Sequence, residues 1–375
     1  MNHPLKDAQP RLRPFRFAVF ALAALVVLSL GFALIPAERP APAEPSFTER
    51  ARAAALSTAM DLRASGMDLA STGAADSTAL APVVTLLTIQ ARALMSPSLM
   101  SATPEPAPAL SPASPAPSPT AAPLSAAGLV QALADSGTAR IKDAQTADGG
   151  MARLLAGTGT AQLLAAGRLA AATGVPVPQG AAGAEEEVAG STTASPCPSP
   201  SASAAQRGSG PGALPGTRQV LAAAVAAEQQ AAYGYQAALP RLRPTEAGPA
   251  SEFLAAHKEL AAYGGERLRL ACGGAVPQQP GYVLDPGFLA APAAGLGRLE
   301  VATLASYGDL VAVSQGQDRK WALSALQAAA GRALHWGADP GPVPGLTLDV
   351  GQLPALPAGS GLPATTAGTP SAPGA

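Results

Sequence analysis

The placement of proline sets the first limit on what this chain can fold into. Residues 102–123 read ATPEPAPALSPASPAPSPTAAP. Proline fixes φ and removes a backbone donor, so neither a helix interior nor a central strand can run through this stretch. Its natural form is an extended spacer. Similar composition returns at about 174–215, with EEE at 185–187 and PCPSPSASAAQRGSGPG, and again from about 339 to 375. Between these breaks lie helix-length segments with apolar residues at three- and four-residue steps. The chain therefore reads as all-α.

The rings divide it further. All five tyrosines and both tryptophans fall between Tyr233 and Trp336, and no aromatic residue occurs from Thr48 to Ala232. Large rings supply much of a core's buried area. The best-packed domain is expected in the C-terminal third, with Ala/Leu-rich helices of modest stability upstream.

The N-terminus carries RLRPFRFAVFALAALVVLSLGFALIP, in which Phe17 to Ile35 is free of charge. As a helix this run spans about 28 Å, close to a bilayer's hydrocarbon core. Lys6, Arg11, Arg13 and Arg16 precede it, which puts residues 1–16 in the cytoplasm and the bulk outside. The expected arrangement is a single-pass cell-membrane protein. The alternative is secretion after cleavage of a long signal sequence, for which Ala41-Pro42-Ala43 offers a site. Export suits the two cysteines, Cys197 and Cys272, as a possible disulfide joining a linker to a helix end; two unrelated thiols are the other reading.

The expected organisation is a basic N-terminus at 1–16, an anchor at 17–35 and a helical segment at 46–100. A Pro/Ala/Ser-rich linker at 101–124 precedes a second helical segment at 125–173 and a disordered linker at 174–215. A helical bundle at 216–338 and a disordered tail at 339–375 complete the chain. Asp148 is a candidate N-cap upstream. The bundle's helices are read at 217–239 with Thr217 as N-cap, 251–272, about 288–314 and about 317–337, the first three joined by long loops. This is the outline of an antiparallel four-helix bundle.

Helical periodicity picks out its inward polar residues. Leu221, Val225, Glu228, Ala232 and Tyr235 form one stripe. His257 lies on the stripe of the second helix, and Glu300 joins Leu296, Thr303, Tyr307 and Leu310 on the third. The fourth stripe, Leu323, Leu326, Ala330 and Leu334, holds no polar residue. A buried carboxylate must be paired or hydrogen-bonded, or it neutralises. Glu228, His257 and Glu300 are thus either metal ligands or a set of mutual polar contacts. The steps Tyr233-Gly234, Tyr263-Gly264 and Tyr307-Gly308 read as points of close helix approach.

The motifs AAEQQAAYGY, EFLAAHKELAAYGGERL, GRLEVATLASYGDL and AAAGRALHW resemble a ferritin-like four-helix domain of exported or membrane-bound actinobacterial proteins of unknown function. The resemblance covers about 217–337. It implies a ferritin-like bundle. Metal-using members of that fold place a Glu on two helices and Glu-x-x-His on the other two. This sequence departs from that pattern: no His follows Glu228 by three, and Leu254 stands three before His257.

A formal net charge of −1 and the lack of a basic cluster beyond Arg241 and Arg243 exclude nucleic acid as a partner. No phosphate loop, nucleophile elbow or HExxH is present. The reading is a non-catalytic binding or structural module of the cell envelope, with no cofactor expected. Its partners would be the membrane and an unknown envelope protein or small apolar ligand. The alternative is an iron- or manganese-binding protein with a degenerate site at Glu228, His257 and Glu300.

Overall fold

A computed structural model describes residues 19–25, 44–73, 77–95, 125–178 and 216–357. The chain divides into two units, Met1–Pro45 and Ser46–Ala375. In the first, residues 19–25 are helical and exposed. The rest of the expected 17–35 anchor lies outside the described residues, as do the linker at 101–124, most of that at 174–215 and residues 358–375. Among the described residues, all regular structure is helical.

The second unit begins with α1 (Phe47–Thr72), opened by a reciprocal cap. The Glu49 N–H donates to Ser46 Oγ at 3.2 Å, and the Ser46 N–H to Glu49 Oε2 at 2.7 Å. Gly73, at φ 68°, ends it. Helix α2 (Ser77–Met95) is long and apolar enough, by composition alone, to cross a membrane. It nonetheless buries Leu80, Val83, Leu87 and Leu94 in the protein core. Next come α3 (Ala126–Thr146), capped by the Ser125 hydroxyl, and α4 (Gly149–Thr173). Asp148 stands at the N-cap of α4 but makes no side-chain cap there. Its carboxylate instead accepts from the Thr48 hydroxyl at 2.8 Å, joining the starts of α1 and α4.

Helix α5 (Thr217–Ala238) starts after Gly216, so Thr217 is not the cap. The Thr217 hydroxyl donates to the Val313 carbonyl. Helix α6 (Pro244–Leu270) begins well before the expected Ser251, leaving only residues 239–243 as a connection. Pro244 suits a first helical position, where no N–H is needed. Glu246 accepts the Arg243 N–H at 3.0 Å, and Pro249 is absorbed early in the helix. A short α7 (Pro286–Ala290), α8 (Pro292–Val313) and α9 (Gly316–His335) follow.

Contacts fix the helix directions. Val225 meets Gly264 and Tyr235 meets Phe253, so α5 and α6 are antiparallel. Glu228–Tyr307 and Tyr235–Glu300 make α5 and α8 antiparallel. Tyr307–Trp321 and Glu300–Arg332 do the same for α8 and α9, and Arg267–Asp318 and Phe253–His335 for α6 and α9. Helices α6 and α8 therefore run the same way, joined by one long crossover at 271–291. The upstream helices repeat this order. Arg52–Leu94 and Arg63–Thr88 pair α1 with α2; Gly66–Leu129 pairs α1 with α3, and Thr48–Asp148 sets the start of α1 beside the turn that follows α3. Gln90–Gln162 pairs α2 with α4, and Gly137 lies against Leu163 between α3 and α4. Each group of four thus has the same directions.

The two groups share a core. One apolar cluster runs from Ala51, Leu94, Leu154 and Leu155 to Leu221, Leu304, Tyr307, Val311 and Leu326. Helix α4 packs against both groups and is buried nearly all round from Met151 to Ala166. The upstream Ala/Leu-rich helices pack both on one another and on the later group. Leu80, Leu87, Leu129, Leu133 and Leu169 are as deeply buried as Tyr235 and Tyr307. Small residues let backbones close up, and leucine then fills the space.

The expected loose tail is corrected over 339–357, which packs. Val343 is buried between the groups, where Gly157 on α4 and Gly308 on α8 leave room for the strand of chain at 343–345. Three side chains, Arg153, Gln90 and Arg92, hold it by donating to its carbonyls. Arg153 Nε donates to the Gly345 carbonyl at 2.6 Å, Gln90 Nε2 to that of Pro342 at 2.9 Å, and Arg92 Nη2 to that of Leu353 at 2.6 Å.

Candidate functional site

The stripes that carry Glu228 and Glu300 are buried as helical spacing requires. Leu221, Val225, Glu228, Ala232 and Tyr235 are buried on α5, and Leu296, Glu300, Thr303, Tyr307 and Leu310 on α8. On α6 the deepest positions, Ala250, His257, Gly264 and Leu268, recur at steps of seven and four. His257 thus meets both carboxylates at the centre of the second group.

The geometry is a linear relay with the imidazole in its middle. His257 Nδ1 lies 2.6 Å from Glu228 Oε2, and Nε2 lies 2.9 Å from Glu300 Oε1. The Tyr307 hydroxyl donates to Glu228 Oε1 at 2.7 Å and the Tyr235 hydroxyl to Glu300 Oε1 at 2.6 Å. Trp336 Nε1 donates in turn to the Tyr235 oxygen at 2.7 Å. Arg332 Nε donates to Glu300 Oε1 at 3.0 Å. The side chains of His257 and Glu300 are fully buried, and Arg332 is 7% exposed. Tyr235, Tyr307, Phe253, Trp321 and Trp336 form the ring shell around them, with Tyr235 and His257 centroids 5.0 Å apart.

Arg332 is the residue that periodicity missed. Helix α9 is buried on a wide face, because it packs on α8 and on α4. Leu326 faces the returning tail at Gly345, whereas Trp321, Arg332 and Trp336 face the other helices of their own group. The usable signal was the step from Ala325 and Ala329 to Arg332 and Trp336, which is as regular as the leucine stripe.

Charge follows from these contacts. Burial alone would depress the His257 pKa, but hydrogen bonds to Glu228 and Glu300 and their charges raise it above 6.5. Burial would raise Glu300, yet His257 and Arg332 hold it below 4.5. Burial opposes the charge on Arg332, and Glu300 more than restores it. Both tyrosine hydroxyls are pushed upward, by burial first and then by the carboxylates, so they stay protonated donors. These contacts favour the charged forms of His257, Glu300 and Arg332.

This arrangement does not fit a resident metal ion. Each nitrogen of His257 is engaged by a different carboxylate, so the three side chains converge on the imidazole and not on a common point. Arg332 places a further positive charge against Glu300. Among the described residues, no group of three or more His, Cys, Asp or Glu is arranged to hold a metal.

Elsewhere, Cys272 is disulfide-bonded at the end of α6, and Cys197 lies outside the described residues. An apolar groove of about 230 Å³ runs between Pro82, Val83 and Leu86 of α2 and Ala165, Leu169 and Ala172 of α4. Arg319 is buried at the junction of the two groups. It donates to the Ser314 and Ala147 carbonyls, each at 2.7 Å, and so ties the α8–α9 turn to the α3–α4 turn.

Residues 220–348, from α5 through the first part of the packed tail, match the family model described as Domain of unknown function (DUF4439). No curated protein and no solved structure matches the chain.

Proposed function

We propose that this chain is a membrane-anchored, extracytoplasmic helical protein of the cell envelope, and that it serves as a non-catalytic binding or structural module. The observation that carries the second half is the closure of the polar core. Glu228, His257, Glu300 and Arg332 engage one another, with two tyrosines and a tryptophan completing the set. A catalytic acid or base needs a route to substrate, and these groups are sealed from solvent. A buried, satisfied polar network specifies one packing arrangement instead. The anchor half rests on the charge-free run Phe17 to Ile35 and the cations before it. The bonded state of Cys272 agrees with an oxidising compartment, and we assign Cys197 as its partner.

The ferritin-like reading of residues 216–338 belongs to the same proposal. Its supports are one long crossover between two antiparallel pairs and an inward ionisable residue on each of the four helices. The iron- or manganese-binding alternative has one observation in its favour, the meeting of Glu228, His257 and Glu300. It would require His257 to release a carboxylate and Arg332 to withdraw.

The test is made on the full chain in a bacterial host. Lys142, Lys258 and Lys320 are exposed and lie beyond the anchor. The chain should fractionate with membranes, and these lysines should react with a membrane-impermeant amine reagent on cells whose outer layers are opened. A soluble chain whose lysines stay unlabelled until lysis would refute the localisation. A substrate-dependent reaction abolished by Glu228→Gln at unchanged stability would refute the non-catalytic assignment.

A further inference from the structure

The four central positions invite comparison with the general pattern of carboxylate-bridged metal sites in four-helix bundles. There, two helices give one Glu each and two give Glu-x-x-His. In this protein α5 and α8 give Glu228 and Glu300. Helix α6 gives Leu254 and His257 at that spacing, and α9 gives Ala329 and Arg332. Both carboxylates of the paired motifs are apolar here, and one imidazole is a guanidinium. The remaining negative charge is that of two carboxylates, opposed by the cations His257 and Arg332.

One detail says where Arg332 is directed. Glu300 Oε1 takes its bonds from His257, Tyr235 and Arg332, while Glu300 Oε2 and Arg332 Nη2 are both buried without a partner. The Nε–Nη2 edge of a guanidinium and the two oxygens of a carboxylate form a fork when they face one another. A bond between the two unpartnered atoms would complete that fork beside the existing Nε–Oε1 contact.

We infer that Arg332 is a built-in counter-cation, occupying with His257 the place and the electrostatic role of a metal ion between Glu228 and Glu300. The corollary is a latent cation site, closed in the native protein and opened when Arg332 loses its charge. It deepens the proposal of a closed polar core and rests on it. A buried carboxylate left without its partner is strongly unfavourable, so a divalent cation becomes the available replacement. The imidazole can then keep one carboxylate and turn its other nitrogen to the ion.

The experiment compares the full chain, without a polyhistidine tag, with its Arg332→Ala, Arg332→Met and Arg332→Lys variants. Each is equilibrated with MnCl2 or ZnCl2, gel-filtered and assayed for metal, and its thermal midpoint is followed against metal concentration. The native chain and Arg332→Lys should retain no stoichiometric metal and show a flat midpoint. Arg332→Ala and Arg332→Met should start from a lower midpoint that climbs with metal concentration, as binding to the folded state requires. Each should also retain metal in proportion to chain. Stoichiometric metal in the native chain would overturn this inference and the closed-core reading together. Folded Arg332 variants that take no metal would overturn this inference alone, as would variants that metal cannot restore to a folded state.

Discussion

At the residue scale, the protein holds the Glu228 and Glu300 side chains where water cannot reach them, and the cost is offset by pairing. Such a pair is a weak source of net stability but a costly one to break, because removing one partner strands the other charge. Glu300→Ala leaves His257, Arg332 and Tyr235 without their shared acceptor. Chemical denaturation should register a loss of about 3–5 kcal/mol. Glu300→Ala combined with Arg332→Met should lose less than the sum of the single changes, a coupling of at least about 1 kcal/mol.

The pH dependence follows from the same contacts. His257 has its pKa raised above 6.5, so its contribution is complete below 6.5 and is lost as pH climbs through the folded value. Glu300 has its pKa held below 4.5, so its contribution is complete above 4.5 and is lost as pH falls through the folded value. The network should contribute most between pH 4.5 and 6.5. Urea denaturation across pH should show an alkaline decline that His257→Gln removes. Glu228, His257 and Glu300 were legible as inward residues because their stripes have one buried face. Arg332 was not, because α9 has two.

At the scale of elements, close backbone approach explains why glycine sits where it does. Two of the three Tyr-Gly steps are points of close helix approach, with Gly234 under Leu299 and Gly264 under Val225 and Trp321, whereas Gly308 lies under the tail at Gly345. A Cβ on Gly157 would come within 2.5 Å of the Val343 side chain and 2.6 Å of the Pro344 carbonyl oxygen. Gly157→Ala should cost about 1–3 kcal/mol by overpacking and make residues 339–357 sensitive to protease. Gly331 lies inside α9 with open space beside it. Gly331→Ala should stabilise by about 0.5–1 kcal/mol, the ordinary helix preference. The tail's order escaped the sequence reading, because its Pro/Gly composition resembles that of a spacer. What holds it is remote: Arg92, Arg153 and Gln90 donate to its carbonyls from α2 and α4.

At the scale of the whole molecule, residues 46–357 contain one helix order twice. Between the groups, α4 packs on α8, α3 on α9 and α4 on α9. Exchanging the groups maps this set onto itself, which is the contact pattern of a twofold, self-complementary interface. The all-helical class was readable from periodicity. The repetition was not, because the first group has no tyrosine, tryptophan or buried carboxylate to align with the second. Nor was the joint core, since an apolar helix such as α4 looks the same whether it meets one neighbour or four. A chain cut to residues 216–357 would expose Leu304, Val311, Leu326 and Val343 of the shared cluster. Light scattering after gel filtration should find it self-associated, while the chain from residue 46 onward should not depend on that face for association. A monomeric fragment with undiminished thermal stability would contradict the joint core.

The central claim is that the core carries its own cations, and it is tested most directly on the His257 ring nitrogens by NMR of nitrogen-15-labelled native protein. Both nitrogens should be protonated and hydrogen-bonded, with imidazolium shifts that persist above pH 6.5. They should be unchanged by added manganese or zinc. A neutral tautomer at neutral pH, or ring signals that move or broaden with stoichiometric metal, would contradict it.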